Sequence, residues 1–212
     1  RSGERSGERH DLQRRAYVAF TSGTTGEPKG IAGRFEPVAH FVDWYIEEYA
    51  VSARDRFSLL SGLAHDPLLR DIFVPLAAGA TLVIPPQKLL ADPEGLLRWF
   101  AQEKITCTHL TPAMCRVLTA SEQDTRLPTL RLAGFGGDRL NGDVIQALRA
   151  VAPDVAAVNF YGTTETPQVM AVYPVPAHAV VDTGAALSGA VPIGRGIEGV
   201  QLLVLDEKFN LC

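Results

Sequence analysis

Apolar positions in this chain follow two alternating rhythms, and the alternation predicts a sheet layered with helices. Residues 16–21 form a short apolar run that breaks off into hydroxyls and glycines, the mark of a strand entering a loop. Over 37–50 the apolar residues Val38, Phe41, Val42, Tyr45, Ile46 and Tyr49 recur at helical spacing, with acids on the other face. Further strands are predicted at 56–61, 81–84, 105–110, 130–135 and 155–160, and further helices at 68–78, 93–102, 112–120 and 143–151. Pro85 and Pro86 stop one strand, while Asp92 is placed to cap a helix that Pro93 opens. Strands and helices taking turns at this spacing argue for parallel β-α-β units, an α/β fold with helices covering a parallel sheet.

The two ends of the chain differ from its middle. Residues 1–13 repeat Arg-Ser-Gly-Glu and bury nothing, which predicts a disordered linker. The α/β pattern occupies 14–166. Prolines then gather at Pro167, Pro174, Pro176 and Pro192, and 199–206 is β-rich with no helix after it. Residues 167–212 are therefore expected to begin a small β-rich subdomain.

Composition narrows the classes of function. The 212 residues are 46% hydrophobic and 21% charged, as in a globular protein. A net charge of −4 with no basic stripe argues against nucleic acid as a partner. No apolar run approaches the roughly 18–20 residues that span a bilayer, and the charged N-terminus has no hydrophobic segment behind it to act as a signal peptide. Cys107, Cys115 and Cys212 are an odd count without metal-ligand spacing, which fits a reducing, cytoplasmic setting.

The candidate chemistry lies in Tyr17-Val-Ala-Phe-Thr-Ser-Gly-Thr-Thr-Gly-Glu-Pro-Lys-Gly30. Its glycines let a backbone approach phosphate oxygens, and Thr21, Ser22, Thr24 and Thr25 add donors. Lys29 adds a mobile charge, and Pro28 stiffens the approach to it. The pattern is not G-x-x-x-x-G-K-S/T, because Gly23, Gly26 and Lys29 fall at even intervals and Gly30 follows the lysine. Taken on composition alone, such a stretch is also compatible with a Gly/Thr-rich surface turn. A second motif, Asn159-Phe-Tyr-Gly-Thr-Thr-Glu165, follows the buried apolar run 155–158.

Together, and in this order, the two motifs resemble the signatures of the adenylate-forming (AMP-binding) superfamily. That superfamily includes the amino-acid-adenylating domains of nonribosomal peptide synthetases, acyl-CoA synthetases and luciferases. The resemblance covers about 14–206 and implies the central part of the family's large N-terminal α/β domain, followed by the start of a small β-barrel subdomain. It implies that Thr21, Ser22, Gly23, Thr24, Thr25, Gly26 and Lys29 hold the β- and γ-phosphates of ATP. Gly136, Gly137, Asp138 and Tyr161 would line the adenine, Thr164 would bond the α-phosphate, and Glu165 would hold Mg²⁺. Gly136 and Gly137 also read simply as a tight strand-to-helix turn. The implied step is attack of a carboxylate oxygen on the α-phosphorus with departure of pyrophosphate, where positioning and charge neutralisation by Lys29, Thr164 and Glu165 dominate.

The segment Leu63-Ala-His-Asp-Pro-Leu-Leu-Arg-Asp-Ile-Phe73 is where such enzymes read their substrate. By resemblance Asp66 pairs with an amino acid's α-ammonium; it is also placed to cap the helix that Pro67 opens. The same alignment adds Pro67, Arg70, His109, Gly134, Gly136, Phe160, Gln168 and Val169 to the pocket. Arg70 suits a second substrate carboxylate, or else pairs with Asp71. His109 is a pocket wall or a satisfied core histidine. The run is similar to that of fungal 2-aminoadipate reductases and some bacterial peptide synthetases.

The resemblance therefore implies an enzyme that activates an amino acid as aminoacyl-AMP with ATP and Mg²⁺, for thioester transfer to the phosphopantetheine of a carrier-protein domain. The chain has no Tyr-x-Thr-Gly-Asp motif for the ribose and no late Gly-Lys motif, so the C-terminal lid domain is expected to be absent and the remaining parts of the same enzyme to be needed as partners. An acyl- or aryl-CoA synthetase is the alternative enzyme, which Asp66 argues against; a nucleotide-binding piece without turnover is the non-enzymatic one.

Overall fold

The computed structural model describes residues 15–21, 27–63, 65–121, 124–177 and 189–212, so the expected linker at 1–13 and the phosphate-loop residues Ser22, Gly23, Thr24, Thr25 and Gly26 lie outside the described residues. Strands β1 (Arg15–Thr21) and β2 (Lys29–Arg34) form a separate antiparallel ribbon in which Thr21 faces Lys29. Strand β2 carries little alternation of its own; a Cβ at Gly33 would collide with the Tyr17 ring, so the glycine is what lets the ribbon close over that tyrosine. Helix α1 (Phe35–Glu48) follows at once.

A second sheet organises the rest. Its strands are β3 (Arg56–Ser58), β4 (Thr81–Val83), β5 (Cys107–Leu110), β6 (Leu132–Phe135), β7 (Ala156–Thr163), β8 (Thr166–Val175) and β9 (Arg195–Gly196), in the spatial order β4-β3-β5-β6-β7-β8-β9. From β4 to β7 neighbours run parallel, and β8 and β9 are antiparallel additions. The crossovers carry helices α2 (Pro67–Ala77), α3 (Pro93–Gln102), α4 (Pro112–Thr119) and α5 (Gly142–Val151). One helix start was legible as a cap, Asp92, which accepts from the Gly95 N–H at 3.0 Å; Thr111 likewise accepts from the Met114 N–H at 3.1 Å.

The sheet is covered on both faces, so β5 and β6 are buried throughout. Successive side chains go to opposite layers. Ala133, Phe135 and Ala157 pack with Leu96, Phe100, Leu118 and Leu148 of α3, α4 and α5. Cys107, Leu132, Val158 and Phe160 pack with Val38, Phe41, Tyr45 and Val74 of α1 and α2. At the N-terminal edge of the parallel strands Arg131 clasps Asp55 in bidentate fashion, Nε to Oδ1 at 2.8 Å and Nη2 to Oδ2 at 2.9 Å. Burial alone would push the Asp55 carboxyl up, but hydrogen bonds from Arg131, the Ser52 N–H and Thr106 outweigh it and hold the group at about 2.

The region past 166 differs from its expectation in two ways. The boundary falls at the turn of a hairpin: β8 returns along β7, from Thr163↔Thr166 to Ala157↔Val175, and so belongs to the main sheet. The prolines are accommodated because β9 pairs only with Ala171 and Val172, leaving the outer edge of β8 at Pro174 without a ladder to interrupt. Residues 199–206 form no strand; a single bridge joins Leu205 to Leu211, and Leu202, Leu203 and Val204 are exposed.

Candidate active site

A cleft of about 550 Å³ opens at the C-terminal ends of β5, β6 and β7, the place where an open parallel sheet offers loops and helix ends to a ligand. Its floor is set by the side chains that these strands send toward α1 and α2. His109 lies opposite Gly134 in the ladder. A Cβ on Gly134 would collide with the Phe160 ring and stand 2.9 Å from His109 Cδ2, so glycine keeps the floor open. After β6 the chain turns through Gly136 and Gly137, the latter at φ +84°, where a side chain is strained. A Cβ on Gly136 would stand 3.5 Å from Arg70 Nη2, an ordinary contact, so this glycine places the backbone beside the guanidinium without being required there.

Helix α2 forms the facing wall. Asp66 precedes it with helical φ and ψ (−58°, −28°) and makes no side-chain cap, which removes the capping role weighed for it. Its carboxylate instead accepts from the Thr164 hydroxyl at 2.9 Å, across the cleft from the β7–β8 turn. Arg70, one turn along, is 6% exposed. Its Nε lies 3.9 Å from Asp71 Oδ1, too far for a hydrogen bond, and is buried without a partner among the described residues. The guanidinium carbon lies 5.9 Å from the centroid of the Phe160 ring. Burial draws the Arg70 pKa down, and the nearby Asp71 partly restores it.

His109 is part of a buried chain that the sequence did not reveal. Its Nδ1 is 2.8 Å from Asp71 Oδ1 and its Nε2 is 3.0 Å from the Tyr45 hydroxyl. Burial lowers the histidine's pKa, which the Asp71 contact only partly offsets, so the ring is neutral near pH 7. A carboxylate only accepts, so Nδ1 carries the proton and Nε2 accepts from Tyr45. Both ring nitrogens are thus committed inward, and the ring meets the cleft through its carbon edge. His109 is at once a satisfied core histidine and a pocket wall.

The cleft brings together Asp66, Pro67, Arg70, His109, Gly136, Gly137, Phe160, Thr164, Glu165, Gln168 and Val169 from the sequence reading. It does not include Gly134, which lies under the His109 and Phe160 side chains, Asp138, which is exposed and accepts from the next backbone N–H, or Tyr161, 42% exposed. Thr21 and Lys29 stand on the ribbon and are not part of its lining. The lining also includes Gly62, His65, Thr111 and Met114, none of which has a distinctive motif. Thr111 caps α4 through the Met114 N–H. Among the described residues no group of three or more His, Cys, Asp or Glu is arranged to hold a metal, and no helix is long and apolar enough to cross a membrane.

A parallel sheet with a cleft at its strand ends, walled by the Tyr-Gly-Thr-Thr-Glu hairpin and the Asp-Pro helix, is the architecture of an adenylate-forming enzyme. The chain belongs to that family: the AMP-binding enzyme model matches residues 3–211. It is 43% identical over 191 residues to the L-2-aminoadipate reductase of Schizosaccharomyces pombe, a match that takes in 90% of this chain and 13% of that enzyme's length. Among solved structures it resembles the Vibrio cholerae adenylation domain AlmE, in complex with glycyl-adenosine-5'-phosphate, with a TM-score of 0.82 and 28% identity over 94% of this chain and 36% of that one. It also resembles the AMPPNP-bound form of the nonribosomal peptide synthetase FmoA3, with a TM-score of 0.81 and 32% identity over 93% of this chain and 20% of that one.

Proposed function

We propose that this chain is the central part of an amino-acid adenylation domain whose substrate carries a second carboxylate, as 2-aminoadipate does. The observation that carries the reading is Arg70, a buried cation beside the cleft with no hydrogen bond to any described residue. Such a group calls for a planar anion that accepts from its free edge. Asp66, just before α2 with helical φ and ψ, and Arg70 within it are one helical turn apart, about 6 Å along the axis. A zwitterion with its ammonium at one end and a carboxylate at the far end of its side chain matches that pair of charges. The name of the S. pombe relative supports the same substrate.

In this reading the α-carboxylate attacks the α-phosphorus of ATP and pyrophosphate leaves. The chain's task is to align the two and to bind charge. Thr164 stands at the hairpin turn, where its hydroxyl would leave Asp66 to donate to the α-phosphate, and Thr21 and Lys29 on the ribbon, with residues 22–26, would hold the outer phosphates. Glu165, an exposed carboxylate at the same turn, suits a magnesium ion that keeps most of its waters and draws other ligands from phosphate. The ion would neutralise phosphate charge. The aminoacyl-AMP is then passed to a carrier-protein phosphopantetheine.

The test is ATP–pyrophosphate exchange by the complete domain that carries this chain, across a panel of amino acids. Exchange driven by 2-aminoadipate and not by neutral amino acids of equal length is expected. Exchange driven by neutral amino acids or by fatty acids, or none at all, overturns the reading.

A further inference from the structure

The buried charges behind Arg70 are held loosely. The Asp71 side chain is fully buried, and its Oδ1 meets His109 Nδ1 at 2.8 Å. Its other oxygen, Oδ2, is buried without a hydrogen-bond partner among the described residues. Its counter-charge is Arg70, whose Nε stays 3.9 Å away. In the empty cleft the floor thus carries one cation and one anion. His109 completes it as a neutral ring between Asp71 and the Tyr45 hydroxyl, which lies 3.0 Å from Nε2.

A substrate carboxylate on Arg70 upsets that balance, because two anions then share one buried cation. Such a site favours uptake of a proton by whatever base stands beside the anions. The titratable and charged groups around His109 are Tyr45 and Tyr49 on α1, Asp66, Arg70 and Asp71 at α2, and Cys107 on its own strand. From β6 and β7 the ring meets Gly134 and Phe160, which do not titrate. Arg70, the two tyrosines and Cys107, its thiol pushed up to about 12 by burial, already carry their protons at neutral pH. Asp66 stands across the cleft floor from the ring and is bonded to Thr164. His109 has an open place for a proton. The ring is neutral because burial and the charge of Arg70 outweigh Asp71, and a carboxylate on Arg70 cancels the second of those causes. Nε2 faces a hydroxyl, which can accept as well as donate.

We propose that His109 is the proton acceptor that admits a second carboxylate. As the substrate's side-chain carboxylate takes Arg70, the ring takes one proton from solvent at Nε2, and the Tyr45 hydroxyl turns from donor to acceptor. Asp71 then has an imidazolium as counter-charge in place of the engaged guanidinium. One N–H bond forms and no other covalent bond changes. The cation, the two carboxylates and the imidazolium sum to zero. The inference rests on the reading of Arg70 given above. An amino acid whose side chain ends in methyl brings no charge and calls for no proton.

The test is titration calorimetry of the complete domain near neutral pH, with a nucleotide analogue that cannot release pyrophosphate. L-2-aminoadipate and L-2-aminohexanoate are each bound in HEPES and in Tris, whose different heats of ionisation count the protons exchanged. The first ligand should take up about one proton more than the second, and its affinity should fall by about 10-fold per pH unit above neutrality relative to the second, since the proton is bound in the complex alone. In His109→Asn the amide still donates to Asp71 but offers no site for the proton, so the excess should vanish and 2-aminoadipate should lose affinity relative to 2-aminohexanoate. His65→Gln removes the exposed imidazole that also lines the cleft, and it should leave the excess unchanged. Equal proton uptake by the two ligands in the wild type overturns the inference. So does an excess that survives in His109→Asn or disappears in His65→Gln. A wild type that binds 2-aminoadipate no better than 2-aminohexanoate overturns the function proposed above instead.

Discussion

Replacing Arg70 by methionine separates a substrate-reading arginine from a structural one. The polar contacts of Arg70 among the described residues are one long ion pair to Asp71 at 3.9 Å and the face of the Phe160 ring at 5.9 Å, with no hydrogen bond. Methionine fills a similar volume and needs no solvation, so the cost of burying the guanidinium disappears along with its benefits. Asp71 loses its nearest cation but keeps the proton donated by His109. With His109 neutral, that leaves a buried carboxylate without a counter-charge, so the fold is expected to lose about 3–5 kcal/mol. Recognition should be lost selectively. A bidentate contact to a substrate carboxylate offers two charge-assisted hydrogen bonds, and allowing for desolvation their removal costs about 3 kcal/mol, or ~100-fold in kcat/KM. The assay is pyrophosphate exchange with 2-aminoadipate against 2-aminohexanoate, which ends in methyl. Arg70→Met should drop the first about 100-fold and leave the second unchanged or improved, so the preference inverts. Equal losses with both substrates would mean that Arg70 serves Asp71 and never meets the ligand.

Two further substitutions probe the frame around the cleft. Asp55→Asn should lower stability at neutral pH by about 1–2 kcal/mol, a figure reduced for solvent reaching Arg131, with its side chain 39% exposed. Because the folded-state pKa is depressed from 3.8 to about 2, the wild-type advantage is present above the unfolded value and fades as pH falls through that interval; thermal unfolding of both proteins from pH 7 to pH 2 checks it, and a constant gap would remove Asp55 as the cause. Gly134→Ala drives a methyl into the Phe160 ring, so it should cost about 1–3 kcal/mol in overpacking and raise the KM of the amino acid more than that of ATP; a Tm equal to wild type would show that the floor yields.

The layered fold was legible because each short parallel strand is buried on both faces and each helix carries a single apolar stripe. Local chemistry marked the helix start at Asp92 as well. What escaped was whatever a second element decides. Tyr45 reads as one more apolar position of α1, and only the fold brings its hydroxyl to His109, a residue on β5. Asp71 sits beside Arg70 in sequence, yet its Oδ1 meets His109 at 2.8 Å while Arg70 Nε stays 3.9 Å from it. The prolines after 166 were read as a change of domain, because nothing local says which edge of β8 goes unpaired. The same logic sets what the cleft can recognise. With both His109 nitrogens bonded to Asp71 and Tyr45, the charged groups left to the cleft on this wall are Arg70 and Asp66. In the proposed reading, an anion-accepting Arg70 and a cation-accepting Asp66, one helical turn apart, select against a simple fatty acid at one end and a neutral amino acid at the other.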